Sequence, residues 1–332
     1  MKIELLPQSG IFYKANLHCH TNISDGAQSP EEVKELFKSL GYSAVCYTDH
    51  EVLISHKELC DDEFIALHGY EVAVKQDITK STGRFMPVYH FNMIAESPDN
   101  LIMPRCFVNN PSMAGQSKEW FAKFAPYNAN DTIDKTVYSI EWLNDYLTAV
   151  KSAGFLITYN HPQWSIQNCN DYLGLEGLHG IEVINGGCIG VNDCTSIHME
   201  QMLRYGMDVV PVGGDDNHGK STCGLAWTMI KAKELTYDAL IEAYRNGDCY
   251  ASNGPEIHEL YIEDGKIIVK SSDAKYIVLC SEGRHTELAR NTNEAAFNYV
   301  PENFGKYFRI EVRDHNGCYA FSRAYKTADI KL

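Results

Sequence analysis

An α/β barrel followed by a small antiparallel β domain is the fold class this sequence predicts, on three observations. Strand-like and helix-like patterns alternate over residues 11 to 250, which implies a largely parallel sheet with helices packed against it. Histidines and carboxylates sit at or just past the ends of successive strand-like segments, from His18 to His218, as they do where a site is built at the carboxyl ends of barrel strands. After Gly254-Pro255 the pattern changes to short strands joined by hairpin turns. The 332 residues divide accordingly into a large domain, 1–254, and a small β-sandwich-like one, 255–332.

Tyr13 to Leu17 reads as a strand ending at His18. Ser29-Pro30-Glu31-Glu32 is a helix start, with Ser29 as N-cap, Pro30 in the first turn and Glu32 completing a capping box. Val33, Leu36, Phe37 and Leu40 repeat at helical spacing, and Gly41 is the stop. Ser43 to Thr48 is a strand that delivers Asp49 and His50. The same grammar recurs: Phe64 to Leu67 leads to Glu71, Val88 to Ile94 contains His90, and Phe155 to Tyr159 delivers His161 after a helix over 141–153. Leu173 to Leu178 precedes a strand over Ile181 to Ile184, and Ser196 to Tyr205 precedes one over Val209 to Val212 that leads into Asp216 and His218. Leu240, Ile241 and Tyr244 mark a last helix before Gly247.

Residues 95–140 break the rhythm. Rich in Asn and Pro, they carry Trp120, Phe121, Phe124 and Tyr127 without clear periodicity. They read equally as a surface excursion or as a lid that shapes a pocket. Beyond Pro255, strands are expected over 257–262, 266–269, 276–280, 307–312 and 318–323, with Asp264-Gly265 and Asn316-Gly317 as hairpin turns.

The net charge of −15 argues against nucleic-acid backbone binding as the main task. It leaves room for a small anionic substrate drawn to a cationic centre. No apolar run reaches the ~20 residues of a membrane span, and the first ten residues carry neither a basic leader nor an apolar stretch. The 11 cysteines include no CxxC pair and read as buried free thiols. Cytoplasmic residence follows as the expectation, and the oligomeric state stays open. Cys19, between two candidate ligands, should point away from them.

Six histidines and three carboxylates compose the candidate site: His18, His20, Asp25, His50, Glu71, His90, His161, Asp216 and His218. Neutral imidazoles and carboxylates are the ligands that borderline and harder divalent ions prefer, and His18 and His20, two apart, project to one side of a strand. A polynuclear centre of manganese, zinc or iron is expected. Three carboxylates with three divalent ions would leave a local charge of about +3. A hydroxide shared by ions ~3.5–4 Å apart would be the attacking group, positioned by Glu71, His161 and Asp216. No Gly-x-Ser-x-Gly elbow and no P-loop is present, so no side-chain nucleophile is called for.

The ordered set Asn16-Leu17-His18-Cys19-His20-Thr21, Ser24-Asp25-Gly26, Tyr47-Thr48-Asp49-His50, Tyr159-Asn160-His161-Pro162 and Gly214-Asp215-Asp216-Asn217-His218 resembles the polymerase and histidinol phosphatase (PHP) family. The resemblance implies a distorted (β/α)7 barrel with two or three divalent ions and phosphate-ester hydrolysis. Ile181 to Gly187, the paired Asp215-Asp216 and Tyr250 to Glu256 are similar to a branch that carries a C-terminal β domain and includes carbaryl hydrolase-like enzymes. Residue by residue, the likeness puts His18, His20, Glu71 and Asp216 around a first ion. Glu71 would bridge to a second ion held by His90 and His161, and Asp25, His50 and His218 would hold a third.

Asp49 and Asp215 flank ligands and are expected to hold imidazoles in place rather than to coordinate. Asn160 and Asn185 read as orienting groups or as plain turn residues. Trp164 reads as packing in preference to a pocket wall, Lys220 and Arg245 as solvated, and the other seven histidines, His68 and His179 among them, as non-ligands. A metal-dependent phosphoesterase is therefore the leading expectation. A carboxylic, aryl or carbamate ester hydrolase is the alternative, and a non-catalytic metal-binding module is the third.

Overall fold

Glu71 and His90 occupy the middle of long strands, and the reason lies in how the sheet changes direction. In the computed structural model, which describes residues 2–77, 85–108, 117–124, 126–191 and 194–331, the chain runs β1 (Lys2–Glu4), β2 (Ile11–Asn16), α1 (Pro30–Ser39), β3 (Ala44–Tyr47), β4 (Ile65–Lys75) and β5 (Val88–Ala95). It continues with α2 (Ser117–Phe124), α3 (Ile140–Ser152), β6 (Phe155–Tyr159), α4 (Cys169–Tyr172), β7 (Gly180–Asn185), α5 (Ile197–Tyr205) and β8 (Val210–Gly214). Then come β9 (Trp227–Ala232), α6 (Tyr237–Asn246) and β10 (Cys249–Ser252). The last part holds β11 (Ile257–Glu263), β12 (Lys266–Ser281), β13 (Thr286–Asn298), α7 (Pro301–Phe304), β14 (Tyr307–Arg313), β15 (Tyr319–Ser322) and β16 (Tyr325–Lys326).

These strands form one sheet in the order β1-β11-β12-β14-β15-β10-β9-β2-β3-β4-β5-β6-β7-β8, with β13 on β12 and β16 on β14. The expected largely parallel sheet is in fact mixed. β2, β3 and β4 are parallel, as are β6, β7 and β8. β5 runs antiparallel to both its neighbours, and β9 runs antiparallel to β2. Strand β4 pairs with β3 up to His68 and with β5 from Gly69 onward. A Cβ on Gly69 would stand 2.9 Å from Cys46 Sγ and 3.0 Å from Met93 O, so only glycine fits the switch. Because β4 runs on through that switch, Glu71 falls inside the strand, not beyond its end.

The ladder is unclosed, unlike the barrel the resemblance implies. At the gap, the Thr228 hydroxyl on β9 accepts from Gly213 N–H (3.0 Å) and donates to Gly213 O (2.9 Å). Just past the strands, Asp216 N–H donates to His18 O (2.9 Å), and Cys19 forms a parallel bridge with Asn217. These contacts bring the HxH and DxH segments side by side.

Helix α1 forms as its residues dictate. Ser29 accepts from Glu32 N–H, Glu32 caps Ser29 in return, and Val33 and Phe37 are buried. Such a cap is worth ~0.5–2 kcal/mol. Helix α3 buries Leu143, Tyr146, Leu147 and Val150, the i, i+3, i+4, i+7 face. Burying a Leu or Val fully contributes ~1.5–3 kcal/mol. The stretch Leu173 to Leu178 is irregular; Gly174 and Gly177 have φ of +98° and +84°, and the helical turn lies before it, in α4. The excursion over 95–140 is not featureless. It contains α2, and its bridges pair Met103 with Tyr127 and Cys106 with Thr132. Part of it, 109–116 and 125, lies outside the described residues.

The C-terminal strands have their own apolar cluster, with Leu260, Ile277, Ile310 and Val312 buried alongside Leu5 and Leu6 from the N-terminus. Hydrogen bonding between β10 and β15 makes them continuous with the rest of the sheet. The two segments expected at 266–269 and 276–280 are one irregular strand, β12, and β13 had no counterpart among the expected strands. Asp264 (φ +49°) and Gly265 (φ +72°) form the expected hairpin turn.

Candidate metal centre

All nine candidate ligands converge. They fall into four overlapping groups whose ligand atoms lie within 4.8 Å of one another: His20, Asp25, His50 and His218; His18, His161 and Asp216; His18, His20 and Glu71; and Glu71, His90 and His161. Glu71 is the hub. Its Oε1 lies 3.0 Å from His90 Nδ1 and 3.3 Å from both His18 Nε2 and His161 Nε2. Its Oε2 lies 3.0 Å from His50 Nδ1 and 3.4 Å from His20 Nε2. Asp25 faces His218 Nε2 (3.4 Å) and His50 Nε2 (3.5 Å) at the more exposed end. The groups overlap the sets the resemblance implies without coinciding with them: Asp216 groups with His18 and His161, and His20 also faces the Asp25 end.

Three of the imidazoles are fixed from behind. His18 Nδ1 lies 2.7 Å from Glu182 Oε1, His161 Nδ1 lies 3.2 Å from Ser165 Oγ, and His218 Nδ1 lies 3.1 Å from Asp216 O. For His18 and His218 these partners are pure acceptors, so Nδ1 carries the hydrogen and Nε2 is the atom turned inward. His18 Nε2 meets His20 Nε2 at 3.1 Å and Asp216 Oδ1 at 3.3 Å. Nitrogens and carboxylates crowded this closely need a positive charge among them, a proton or a metal ion. The donor set and its burial therefore fit divalent ions.

Glu182 is the residue that sequence reasoning missed. It is buried, holds His18 with one oxygen, and accepts from His161 N–H (3.0 Å) and Asn185 Nδ2 (2.9 Å) with the other. Its place in an apolar strand, Gly180–Asn185, was the available signal, since a carboxylate buried there needs partners. Counting it, four carboxylates face or back the centre; three divalent ions would leave a charge of about +2, lower than the +3 expected without it.

Asp49 and Asp215 do not hold imidazoles. Asp49 accepts from Thr21 N–H (2.8 Å), Ser24 N–H (3.1 Å) and both their hydroxyls, which fixes the loop carrying Asp25. Asp215 accepts from the N–H groups of Gly224, Leu225 and Ala226 and from the Tyr42 hydroxyl. Burial pushes its carboxyl up to about 6 against those bonds. Asn160 and Asn185 are orienting groups, donating to Glu71 Oε1 (2.8 Å) and to Glu182 and Asp216. Cys19 packs with Val33, Phe37 and Tyr42, away from the centre as expected.

The backbone is strained where the ligands turn inward. His161 (φ +25°) and Asp216 (φ +47°) are left-handed non-glycine residues, a state that costs ~1–3 kcal/mol. At Gly214, beside them, a Cβ would stand 2.8 Å from His18 Cβ. Burial pushes the Glu71 and Asp216 carboxyls upward, but the surrounding imidazoles outweigh it and hold both well below the usual range. Burial likewise lowers His18 and His50, and the facing carboxylates override it, raising His18 well above the ordinary value and His50 to about 9.

Seven of the nine candidate ligands, all but His18 and His20, line a cavity of about 310 Å³ together with Trp164, Cys188 and Thr222. Trp164 is thus a wall, not mere packing, and it meets His90 and His161 at centroid distances of 5.5 and 5.0 Å. Lys220 borders a hollow lined by Glu31, Glu32 and Glu35, and Arg245 pairs with Glu96 at 3.3 Å. A larger hollow of about 800 Å³ lies under the 95–140 excursion, between Leu101, Trp120 and Phe124 and the segments carrying Ile23 and Leu53. Ile23 is two residues from Asp25 and Leu53 three from His50, so its walls share loops with the centre.

The PHP domain family model matches residues 16–315, nearly the whole chain. The chain belongs to the PHP domain family. No curated protein matches it. Among solved structures, this PHP chain is similar to a two-domain protein from Bacteroides vulgatus containing a predicted PHP-like metal-dependent phosphoesterase, at 13% identity over 97% of this chain and 98% of that one, with a TM-score of 0.40. It is also similar to an amidohydrolase from Chromobacterium violaceum with bound sulfate and no metal (21% identity, 62% and 87% coverage, TM-score 0.39). A third similar structure is a lesion-specific endonuclease from Pyrococcus furiosus (13% identity, 71% and 56% coverage, TM-score 0.40). At these scores the likenesses carry no argument about what this PHP chain does.

Proposed function

We propose that this chain is a metal-dependent hydrolase of small phosphate esters, mono- or diesters, with two or three ions of manganese, zinc or iron. The observation that supports it most is the convergence of six imidazoles and three carboxylates in four overlapping groups. In this reading His18, His20, Glu71 and Asp216 hold one ion, Glu71 with His90 and His161 a second, and Asp25, His50 and His218 a third. Such ions acidify water and polarise the ester oxygen. Glu71, His161 and Asp216 orient the attacking water, and the two carboxylates accept its hydrogen bonds. Water oxygen bonds to phosphorus, the ester P–O bond breaks, and the departing oxygen leaves with a proton from the water. Glu182 holds the His18 ring through Nδ1 and the His161 backbone through its N–H.

A second reading, hydrolysis of a carboxylic, aryl or carbamate ester at the same centre, is favoured by the absence of Lys and Arg among the described residues lining the cavity. Among the described residues no helix is long and apolar enough to cross a membrane. We place the protein in the cytoplasm because none of its cysteines forms a CxxC pair and many are buried in apolar surroundings. The test combines elemental analysis with assays of the manganese-, zinc- and iron-loaded protein on p-nitrophenyl phosphate, bis-p-nitrophenyl phosphate and naphthyl acetate. At least two ions per chain, with phosphatase turnover that Asp216→Ala abolishes, is the expected result. Ester turnover with phosphatase activity at background would favour the second reading. Fewer than two bound ions would overturn both.

A further inference from the structure

Resting on that hydrolase reading, we infer that the substrate is a phosphate ester with a single negative charge and a planar apolar group, a diester in preference to a monoester dianion, and that the apolar group lies against Trp164.

Charge is the first ground. The charged residues lining the 310 Å³ cavity are carboxylates and histidines, with no Lys or Arg among the described ones. Glu182 lies directly behind His18 and adds a fourth negative charge to the centre. The nearby basic side chains face elsewhere: Lys220 toward the acidic face of α1, Arg245 toward Glu96. A phosphate dianion is ordinarily met by a fixed guanidinium or ammonium besides its metals. With two divalent ions the four carboxylates leave the centre neutral, so a dianion would add two negative charges that no cationic side chain among the described residues meets. A monoanion asks less of the ions.

Trp164 is the second ground. Its side chain is 46% exposed although it lines the cavity, at 51° to the His90 ring and 77° to the His161 ring. The indole is therefore braced by two candidate ligands at the mouth of the centre. A large aromatic surface held there, next to where the ester would sit, is a platform for a flat apolar substituent. The 800 Å³ hollow repeats the pattern, with Ile23, Leu53, Leu101 and Trp120 as apolar walls, Glu31 and Glu58 as its acids, and no Lys or Arg among the described lining residues.

The test measures kcat/KM of the manganese-loaded protein at pH 8 for bis-p-nitrophenyl phosphate and p-nitrophenyl phosphate, and their Kd values by calorimetry. The diester is expected to lead by at least ~10-fold. Trp164→Ala is expected to raise its KM and Kd by ~5–10-fold, matching the ~1 kcal/mol of an aromatic contact, with kcat nearly unchanged and metal content equal to wild type. Trp164→Phe should restore most of the loss. A preference for the monoester, or an unaltered KM and Kd in Trp164→Ala, overturns the inference. A chain without turnover is judged by the two Kd values. Loss of the hydrolase reading would appear separately, as fewer than two bound ions.

Discussion

The imidazoles of the centre and the two histidines His68 and His179 are bonded in opposite ways. His68, buried, accepts from His56 N–H at 3.3 Å, and His179 reaches the Tyr244 carbonyl at 2.9 Å. Among the described residues, neither belongs to a group that could hold an ion. Burial pushes both down to about 4, outweighing the weaker opposing pull of Asp99 on His68 and of Glu96 on His179. In the centre the facing carboxylates override burial at His18, His161 and His218 and raise His50 to about 9, whereas at His90 burial prevails and lowers it. The difference teaches that burial by itself makes an imidazole a neutral packing group. Opposed carboxylates make it part of a cation site, because the field that would retain a proton also retains a metal ion.

Four outcomes would sharpen or break that comparison. The largest effect is expected from the centre itself. Removing metal with a chelator, or changing His161 to Ala, should lower turnover by ~10³-fold or more, and only the chelated protein should recover on adding manganese, zinc or iron. Wild-type activity in His161→Ala would place the chemistry elsewhere. Next comes Glu182→Gln, which keeps the shape but not the charge on His18 Nδ1. Metal affinity, read by competition with a chromophoric chelator, should fall ~10–100-fold, and an unchanged affinity would reduce Glu182 to packing.

Smaller still is the effect of His179→Gln. Losing the bond to Tyr244 O should cost ~1 kcal/mol of stability in urea unfolding, while turnover per folded molecule stays within about twofold. A collapse of turnover at unchanged metal content would erase the contrast. The last effect is a pH dependence. His68 is depressed in the folded state, so the unfolded chain takes up the proton first as pH falls. Its contribution is complete above about 6.5 and is lost as pH drops toward 4, at no more than ~1.4 kcal/mol per unit. Metal-free wild type should therefore destabilise more steeply over that window than metal-free His68→Gln, and parallel curves would show that His68 titrates as in water.

Much of this was legible along the chain. The capping box at Ser29, the apolar face of α3 and the nine candidate donors are local patterns, set by helical or strand periodicity and by side-chain chemistry. The roles of Asp49 and Asp215 were misread because adjacency to a ligand does not say which way a carboxylate faces; both turn toward loop N–H groups instead. β9 was overlooked because Trp227–Ala232, short and interrupted by Thr228 and Lys231, is stabilised by its antiparallel place beside β2 and not by its own pattern.

The sequence by itself determined which donors this protein owns, since imidazole and carboxylate chemistry travels with the residue. Tertiary structure alone decided the mixed, unclosed sheet, the Glu182–His18 contact across 164 positions and the placing of Trp164 on the cavity wall. Such long-range contacts form only when the strands have paired, because no local spacing encodes the distance between residues so far apart in the chain.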